Sequence, residues 1–409
     1  MNRDVVIVSA CRTAIGKFGG SLANIPAPEL GAIVIRHALQ RANVDPALVD
    51  EVLMGCVVPA GQGQAPARQA SIKAGVPPFV GATTVNKICG SGLKTVMLGA
   101  AMIQVGDAEI IVAGGMENMN LPPFYLPRAR TGYRMGGIKK GNVGGAVPNG
   151  LVDGMVLDGL WCAFENHHMG SSAEWIVREF GLTREELDEY AYNSQRKAAE
   201  AIEAGRFKDE IVPVEIPQRR GPPVIYEVDE NPRAYASKEE GMAKLGKLRP
   251  AFEPDGIVTA GNSPGITDGA AAVVVMSADK AKELGIQPLA RIIAYDQAAV
   301  EPIKLFTAPI YAVRKVLEKQ GVDINHYDLI EANEAFAAQC VADGRELGWD
   351  WDRVNVNGGA IALGHPIGCS GTRVLVTLLY ALKDRNLRTG LATLCLGGGE
   401  AVAMSVEMI

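Results

Sequence analysis

Short runs of aliphatic and β-branched residues recur along the chain, alternating with longer stretches whose apolar positions return every three to four residues. The first pattern predicts buried strands and the second amphipathic helices. Strands are expected over residues 5–8, 51–58, 109–113, 272–276, 328–332 and 392–396, and helices over 29–42, 92–105, 309–320, 335–347 and 371–382. Alternation of this kind along the whole chain implies an α/β fold with sheets buried under helices.

The pattern also repeats. Residues 44–52, with Val44-Asp45 at the start and Asp50-Glu51-Val52 at the end, follow one helix as residues 322–330 follow another, at an offset of 278. A second match sets Val112-Ala113-Gly114-Gly115-Met116-Glu117 against Cys395-Leu396-Gly397-Gly398-Gly399-Glu400, at an offset of 283. Similar offsets predict duplicated halves packed face to face, with equivalent turns on opposite sides of one cleft. The expected division is a first half over 1–120, completed by 266–290, and a second half over 291–409.

Residues 121–265 differ, being rich in glycine and proline with few clean periods. The run 127–140 holds Arg128, Arg130, Arg134, Lys139 and Lys140 and no acid. Helical stretches over 171–180 and 183–204 interrupt the segment, and the second opens on Thr183 and Glu186, the spacing of a capping box. An inserted functional excursion is expected here rather than disorder.

At 409 residues the chain exceeds one ordinary core. Hydrophobic residues at 48% and charged residues at 21% exclude a disordered chain. A net charge of −6 argues against nucleic acid as a partner, because phosphate backbones demand clustered cations. Seven cysteines without a CxxC pair fit free thiols in a reducing compartment. The N-terminus enters a strand pattern at once, without a basic-then-apolar leader, and no run approaches 18 apolar residues. No membrane span is expected, and a cytoplasmic location is.

Cys89 lies between an extended stretch and the helix expected over 92–105. A thiol at a helix start meets unpaired N–H groups and the positive end of the macrodipole, which favour the thiolate. Alone, such a cysteine reads more readily as an inert core residue. Two later segments change that reading. His365 sits in the glycine-rich turn Gly364-His365-Pro366, and Cys395 sits where an apolar strand meets Gly397-Gly398-Gly399. A nucleophile, an imidazole and a second thiol, each at a strand end or turn, call for a shared pocket.

Cys89-Gly90-Ser91-Gly92, Asn333-Glu334-Ala335-Phe336-Ala337, Gly364-His365-Pro366 and Cys395-Leu396-Gly397-Gly398-Gly399 together resemble the four signature blocks of the thiolases. The resemblance runs over essentially the whole chain, through Arg249-Pro250-Ala251-Phe252 and residues 259–271. It implies a five-layered αβαβα fold. His167-His168-Met169-Gly170 resembles the biosynthetic, acetoacetyl-CoA type within that family. The implied reaction is condensation of two acetyl-CoA to acetoacetyl-CoA and coenzyme A, and the reverse thiolysis, through an acetyl-cysteine. Coenzyme A thioesters are then the substrates, no separate cofactor is needed, and the chain assembles as a homodimer or homotetramer.

The resemblance also distributes roles. Cys89 is the nucleophile, His365 takes its proton, and Cys395 is the base at the methyl carbon. Asn333 holds a water facing the enolate oxygen, and the backbone N–H groups of Cys89 and Gly397 receive the oxyanion. Carbon acids next to a thioester are weak, so a base must be joined by groups that stabilise the enolate. Asn333 also suits the cap of a helix starting at Glu334. His168 and Met169 close the acyl end, Phe336 is among the residues that bind the coenzyme A substrate, and Arg233 approaches the nucleotide. Pro264 stands where the family has a serine on the pantetheine arm, so that contact is lost or passes to Ser263. Adjacent side chains diverge, which makes His167-His168 a poor metal site, and no metal is expected.

The segment from Glu117 to Gly170 is longer than the family pattern, with the extra length at 138–150, in the loop by which such enzymes join dimers into tetramers. Ketoacyl synthases share the fold but pair their cysteine with two histidines, or with histidine and asparagine. The second thiol, Cys395, favours thiolase. A degradative thiolase of broader chain length uses the same residues, and a non-catalytic acyl-CoA binder would have lost a thiol.

Overall fold

The computed structural model describes residues 3–127, 129–131 and 150–409. Arg128, Arg134, Lys139 and Lys140 of the basic cluster, and the insertion up to residue 149, lie outside the described residues.

Among the described residues the main sheet has eleven strands, nine of them in one continuous path: β1 Val5–Thr13, β2 Glu51–Gly55, β3 Gly81–Val85, β4 Ile110–Asn118, β5 Thr267–Ser277, β6 Ala290–Ala299, β7 Leu329–Ala332, β8 Thr389–Leu396 and β9 Glu400–Met408. Their spatial order is β3-β2-β4-β5-β1-β6-β9-β8-β7. Each half therefore reads third, second, fourth, fifth, first, with the third place in the second half taken by Val354, bridged to Ile330. In the sheet, among the described residues, the antiparallel pairs Val6–Arg291 and Ile7–Ala290 join the two halves. The duplication expected from the sequence is thus present in the topology.

The ladder corrects one of the two repeats. Val52 pairs with Val112 and Ile330 with Leu391, so Val112 is the counterpart of Leu391 and not of Cys395. Gly114 and Gly115 lie inside β4, whereas Gly397–Gly399 make the turn between β8 and β9. The match at offset 283 is a likeness of composition.

The helices that matter to the site are α1 Ala27–Ala42, α2 Pro66–Ala74, α3 Ser91–Val105, α4 Met169–Phe180, α5 Arg184–Glu203, α6 Ala308–Gln320, α7 Ala337–Leu347 and α8 Ile367–Arg385. α1 covers one side of the first half-sheet and carries α2, and α6 covers the far side of the second. Between them α3 and α8 pack on each other, α3 against β2, β4 and β5, and α8 against β4, β5, β7 and β8. This gives the five layers αβαβα. Residues 88–105 have a mean hydropathy of 1.4 over 18 residues, long and apolar enough to cross a bilayer by composition alone. The window still contains Ser91, Lys94, Thr95 and Gln104, so no unbroken run of 18 apolar residues stands in it. Its place in the central layer accounts for the apolar face: 56% of the window is buried, while Leu98 and Val105 lie on an exposed side.

Local chemistry sets the element ends. α1 ends on Asn43 at φ 52. α5 starts with the full reciprocal capping box of Thr183 and Glu186. The strand expected over 51–58 ends at Gly55, since Val57 and Val58 give their N–H groups to the Glu117 carboxylate instead of a ladder.

Candidate active site

α3 and α8 are counterparts in the two halves and lie side by side. Cys89 stands two residues before α3, and His365 two residues before α8. Close packing brings the two starts together: a Cβ on Gly371 would meet the Leu93 nitrogen at 2.2 Å, and one on Gly92 the Thr372 nitrogen at 2.7 Å. The carboxyl end of β8 delivers Cys395 and Gly397 to the same place.

The Cys89 turn is held rigidly. Ile88 adopts φ 46, a left-handed conformation that a β-branched residue resists at a cost of about 1–3 kcal/mol. Neighbouring bonds impose it: Ile88 N–H donates to Asn86 Oδ1 at 3.1 Å, and Ser91 Oγ donates to the Ile88 carbonyl at 2.6 Å while accepting from Lys87 N–H at 2.9 Å. Strain of this kind fixes where the next side chain points.

One cavity of 1060 Å³ is lined by Cys89, His365, Cys395, Gly397, His168, Met169, Arg233, Ser263 and Phe336. Nine sequence-predicted residues from separate segments therefore meet in a single space. Asn333 is buried behind it, outside the lining, and both atoms of its side-chain amide are without a protein partner. Its helix begins at Ala337, with Phe336 at the cap position, so Asn333 does not cap. The amide is left available to a water or substrate oxygen.

The expected thiolate at Cys89 is corrected. Burial pushes its pKa up to about 11, against the lowering effect of the Gly397 and Cys89 N–H groups. The helix itself starts at Ser91, so the sulfur feels two amides rather than the whole dipole. Burial, and then the neighbouring Cys89, raises the Cys395 thiol well above its ordinary value. Both sulfurs are thiols at rest.

Burial, and then the charge of Arg373, lowers the pKa of His365 to about 3. His365 Nδ1 lies 2.6 Å from Ser370 Oγ, and that hydroxyl donates to the Pro366 carbonyl at 3.0 Å. With its one proton committed, Ser370 accepts from Nδ1–H. This assigns the basic lone pair to Nε2, which is buried and has no protein partner. Ser370 went unnoticed in the sequence, where the helical spacing from His365 was the available signal.

At the apolar end, His168 stacks on Phe252 at 4.8 Å, Phe252 meets Phe336 edge-on at 5.9 Å, and Phe336 meets Phe306 at 5.4 Å. Gly170 makes this possible, because a Cβ there would lie 2.1 Å from the Phe252 ring. His168 Nδ1 accepts from Gly170 N–H at 3.0 Å, and His167 Nε2 lies 2.8 Å from Ser172 Oγ, so both imidazoles are engaged locally. Phe252 was within the Arg249–Phe252 block but not singled out. Leu160, Trp161 and Phe164 also line the cavity and were not foreseen.

Arg233 is exposed at the cavity edge, its backbone N–H bonded to Gln195 Oε1 at 2.7 Å. Ser263 donates its hydroxyl proton to the Thr259 carbonyl at 2.7 Å, so towards a ligand it can only accept. Pro264 lines the cavity beside it.

Two thiols and a neutral imidazole around a largely apolar cavity define the site of a thiol-dependent acyltransferase. Residues 5–279 match the thiolase N-terminal domain and residues 286–408 the thiolase C-terminal domain. The chain belongs to the thiolase family. It is 57% identical over 404 residues to the acetyl-CoA acetyltransferase of Pseudomonas aeruginosa, and 55% identical over 404 residues to that of Cupriavidus necator. In both comparisons 99% of each protein is covered. The crystal structure of the Bacillus anthracis acetyl-CoA acetyltransferase matches with a TM-score of 0.94 at 42% identity, covering 100% of this chain and 99% of that one.

Proposed function

We propose that this chain is an acetyl-CoA C-acetyltransferase, which condenses two acetyl-CoA to acetoacetyl-CoA and coenzyme A and runs the reverse thiolysis through an acetyl-Cys89 intermediate. The observation that carries this reading is the meeting of Cys89, His365, Cys395 and Gly397 in one cavity.

The proton inventory defines the steps. Cys89 loses its proton to His365 Nε2 as its sulfur attacks the acetyl carbonyl, and the oxyanion is received by the two amides, each donor being worth roughly 3–4 kcal/mol. The departing coenzyme A thiolate takes a proton from Cys395. That leaves a thiolate at Cys395 and an imidazolium at His365. In the second half, the Cys395 thiolate removes a methyl proton from a new acetyl-CoA, while His365 and a water held by Asn333 face the enolate oxygen. Burial makes that thiolate a strong base. The enolate carbon attacks acetyl-Cys89, and His365 returns its proton to the departing sulfur. Atoms and protons balance, so the chemistry needs no cofactor beyond the coenzyme A thioesters.

The aromatic end formed by His168, Phe252 and Phe336, with Met169 beside it, restricts the acyl group, while Arg233 and the acceptor oxygen of Ser263 serve the coenzyme A arm. All of these groups except Phe336 come from the segment between the two halves. The outer strand β3 has partly exposed residues along its length and supports assembly through the first half, as a homodimer or homotetramer. A cytoplasmic setting, which keeps thiols reduced, suits the seven free cysteines.

Labelled acetyl-CoA tests the assignment. Label should appear on Cys89 and vanish in Cys89→Ala. Cys395→Ala should still acetylate, with the His365 imidazolium protonating the departing coenzyme A instead, yet condense about 10²–10⁴-fold more slowly, the usual effect of losing a general base. Label on Cys395, or equal loss of both steps, refutes the division of roles. Thiolysis of 3-oxoacyl-CoA should fall steeply beyond four carbons, and equal turnover of long chains refutes the acetoacetyl reading.

A further inference from the structure

Lys87 and Glu400 have no part in the steps above, yet they sit at the seam of the site. Lys87 Nζ contacts both carboxylate oxygens of Glu400, at 2.7 and 2.8 Å. Lys87 is two residues before Cys89, on the turn delivered by the first half. Glu400 opens β9, three residues after Gly397, on the turn delivered by the second half. Among the described residues, the halves are otherwise joined in the sheet by the two pairs between β1 and β6.

Each end of this tie is anchored. Lys87 N–H donates to Ser91 Oγ at 2.9 Å, and the Lys87 carbonyl accepts from Gly90 N–H at 3.2 Å, so the lysine backbone is part of the turn that sets Cys89. Glu400 pairs with Leu396 and with Ala299 in the sheet, and the Gly399 carbonyl accepts from Val300 N–H at 2.7 Å. Gly398 and Gly399 take φ 86 and 91, a path that needs an external restraint to remain unique. The lysine side chain is 17% exposed and the glutamate 38%, so the pair is partly desolvated and less screened than a surface pair. Glu400 also lines the catalytic cavity.

We infer that Lys87 and Glu400 are positioning residues, whose ion pair clamps the nucleophile turn to the Gly397 turn and so sets the separation of the two amides that receive the oxyanion. The inference rests on the reading of Cys89 as nucleophile and of the Cys89 and Gly397 amides as oxyanion donors. The two turns converge at rest: a Cβ on Gly397 would lie 3.3 Å from Ile88 Cγ2, and one on Gly90 2.7 Å from Leu396 Cδ2. A small relaxation between two halves would spread them, and displacements of an ångström cost up to about a hundredfold in rate.

The test is single-turnover acetylation by acetyl-CoA in Lys87→Met, Glu400→Gln, the double variant and the charge-exchanged Lys87→Glu/Glu400→Lys. Each single variant should lose about tenfold in the acetylation rate constant, with KM for acetyl-CoA changed less than about twofold. The double variant should be no slower than either single one, and the exchanged pair should regain most of the rate, as a double-mutant cycle requires of coupled residues. Circular dichroism and urea unfolding of the same proteins should show intact folds. Wild-type rates in the single variants, losses that add in the double, or a change confined to KM would overturn the clamp. If Cys89→Ala still acetylated at the same peptide, the underlying reading would fail instead, so the two failures are separable.

Discussion

His365 shows how far a single residue's behaviour depends on its surroundings. Its folded pKa of about 3 lies below the ordinary 6.5, because burial and Arg373 disfavour the imidazolium. The stability contributed by keeping it neutral is fully present above pH 6.5 and is lost as pH falls towards 3, at about 1.4 kcal/mol per pH unit. The melting temperature of the wild type should therefore fall between pH 6.5 and 4 more steeply than that of His365→Asn. The same shift predicts that the acid limb of kcat/KM for acetylation lies well below pH 6.5. A limb at pH about 6.5, the value of a solvated imidazole, would contradict the buried environment. Ser370 belongs to the same scale, since it fixes the tautomer that leaves Nε2 basic.

At the scale of elements, the site depends on how closely two helices cross. α3 and α8 present the nucleophile and the imidazole because Gly371 lies against the Leu93 amide and Gly92 against Thr372. Gly371→Ala places a methyl where backbone, not a flexible side chain, already stands. The helices must separate, and overpacking of this kind costs about 1–3 kcal/mol. A fall in urea midpoint is expected together with a drop in kcat larger than any change in KM, because the two helix starts move with the crossing. A variant of normal stability and activity would show that the central layer tolerates a wider spacing. The strained Ile88 is the local counterpart of this constraint, fixed by three bonds in its own turn.

For the whole molecule, the segment between the halves is tied to the sheets by buried charge. Arg12 on β1 reaches Glu210 Oε1 at 2.5 Å and both oxygens of Asp229 at 2.7 and 2.9 Å, with all three residues buried. Removing the guanidinium leaves two carboxylates without their cation in a dry interior. Arg12→Met should destabilise the protein by about 3–5 kcal/mol in urea unfolding, the usual effect of breaking a buried pair from one side. A change below about 1 kcal/mol, typical of exposed pairs, would mean that water reaches the cluster. Neither Glu210 nor Asp229 stands out in the sequence, because nothing local marks a carboxylate that will be buried 198 or 217 residues away from its partner.

The sequence alone determined what rests on short-range chemistry. Periodicity marked α3, α5 and α8 to within a few residues, the capping box at Thr183 formed as read, and glycine-flanked Cys89, His365 and Cys395 declared themselves by motif. The offset of 278 correctly announced two halves, because each half repeats one local order of elements. The second offset failed, since glycines inside a strand and glycines in a turn look alike until a ladder sets the register. Only the tertiary structure decided the protonation of Cys89, because the cost of burial outweighs the helix start that makes a thiolate plausible on paper. It also left the Asn333 amide free rather than capping, paired Ser370 with His365, seated Phe252 over Gly170, and joined Lys87 to Glu400. Those outcomes depend on which atoms from distant segments share a dry space, and burial and electrostatics of that range are properties of packing, not of neighbours along the chain.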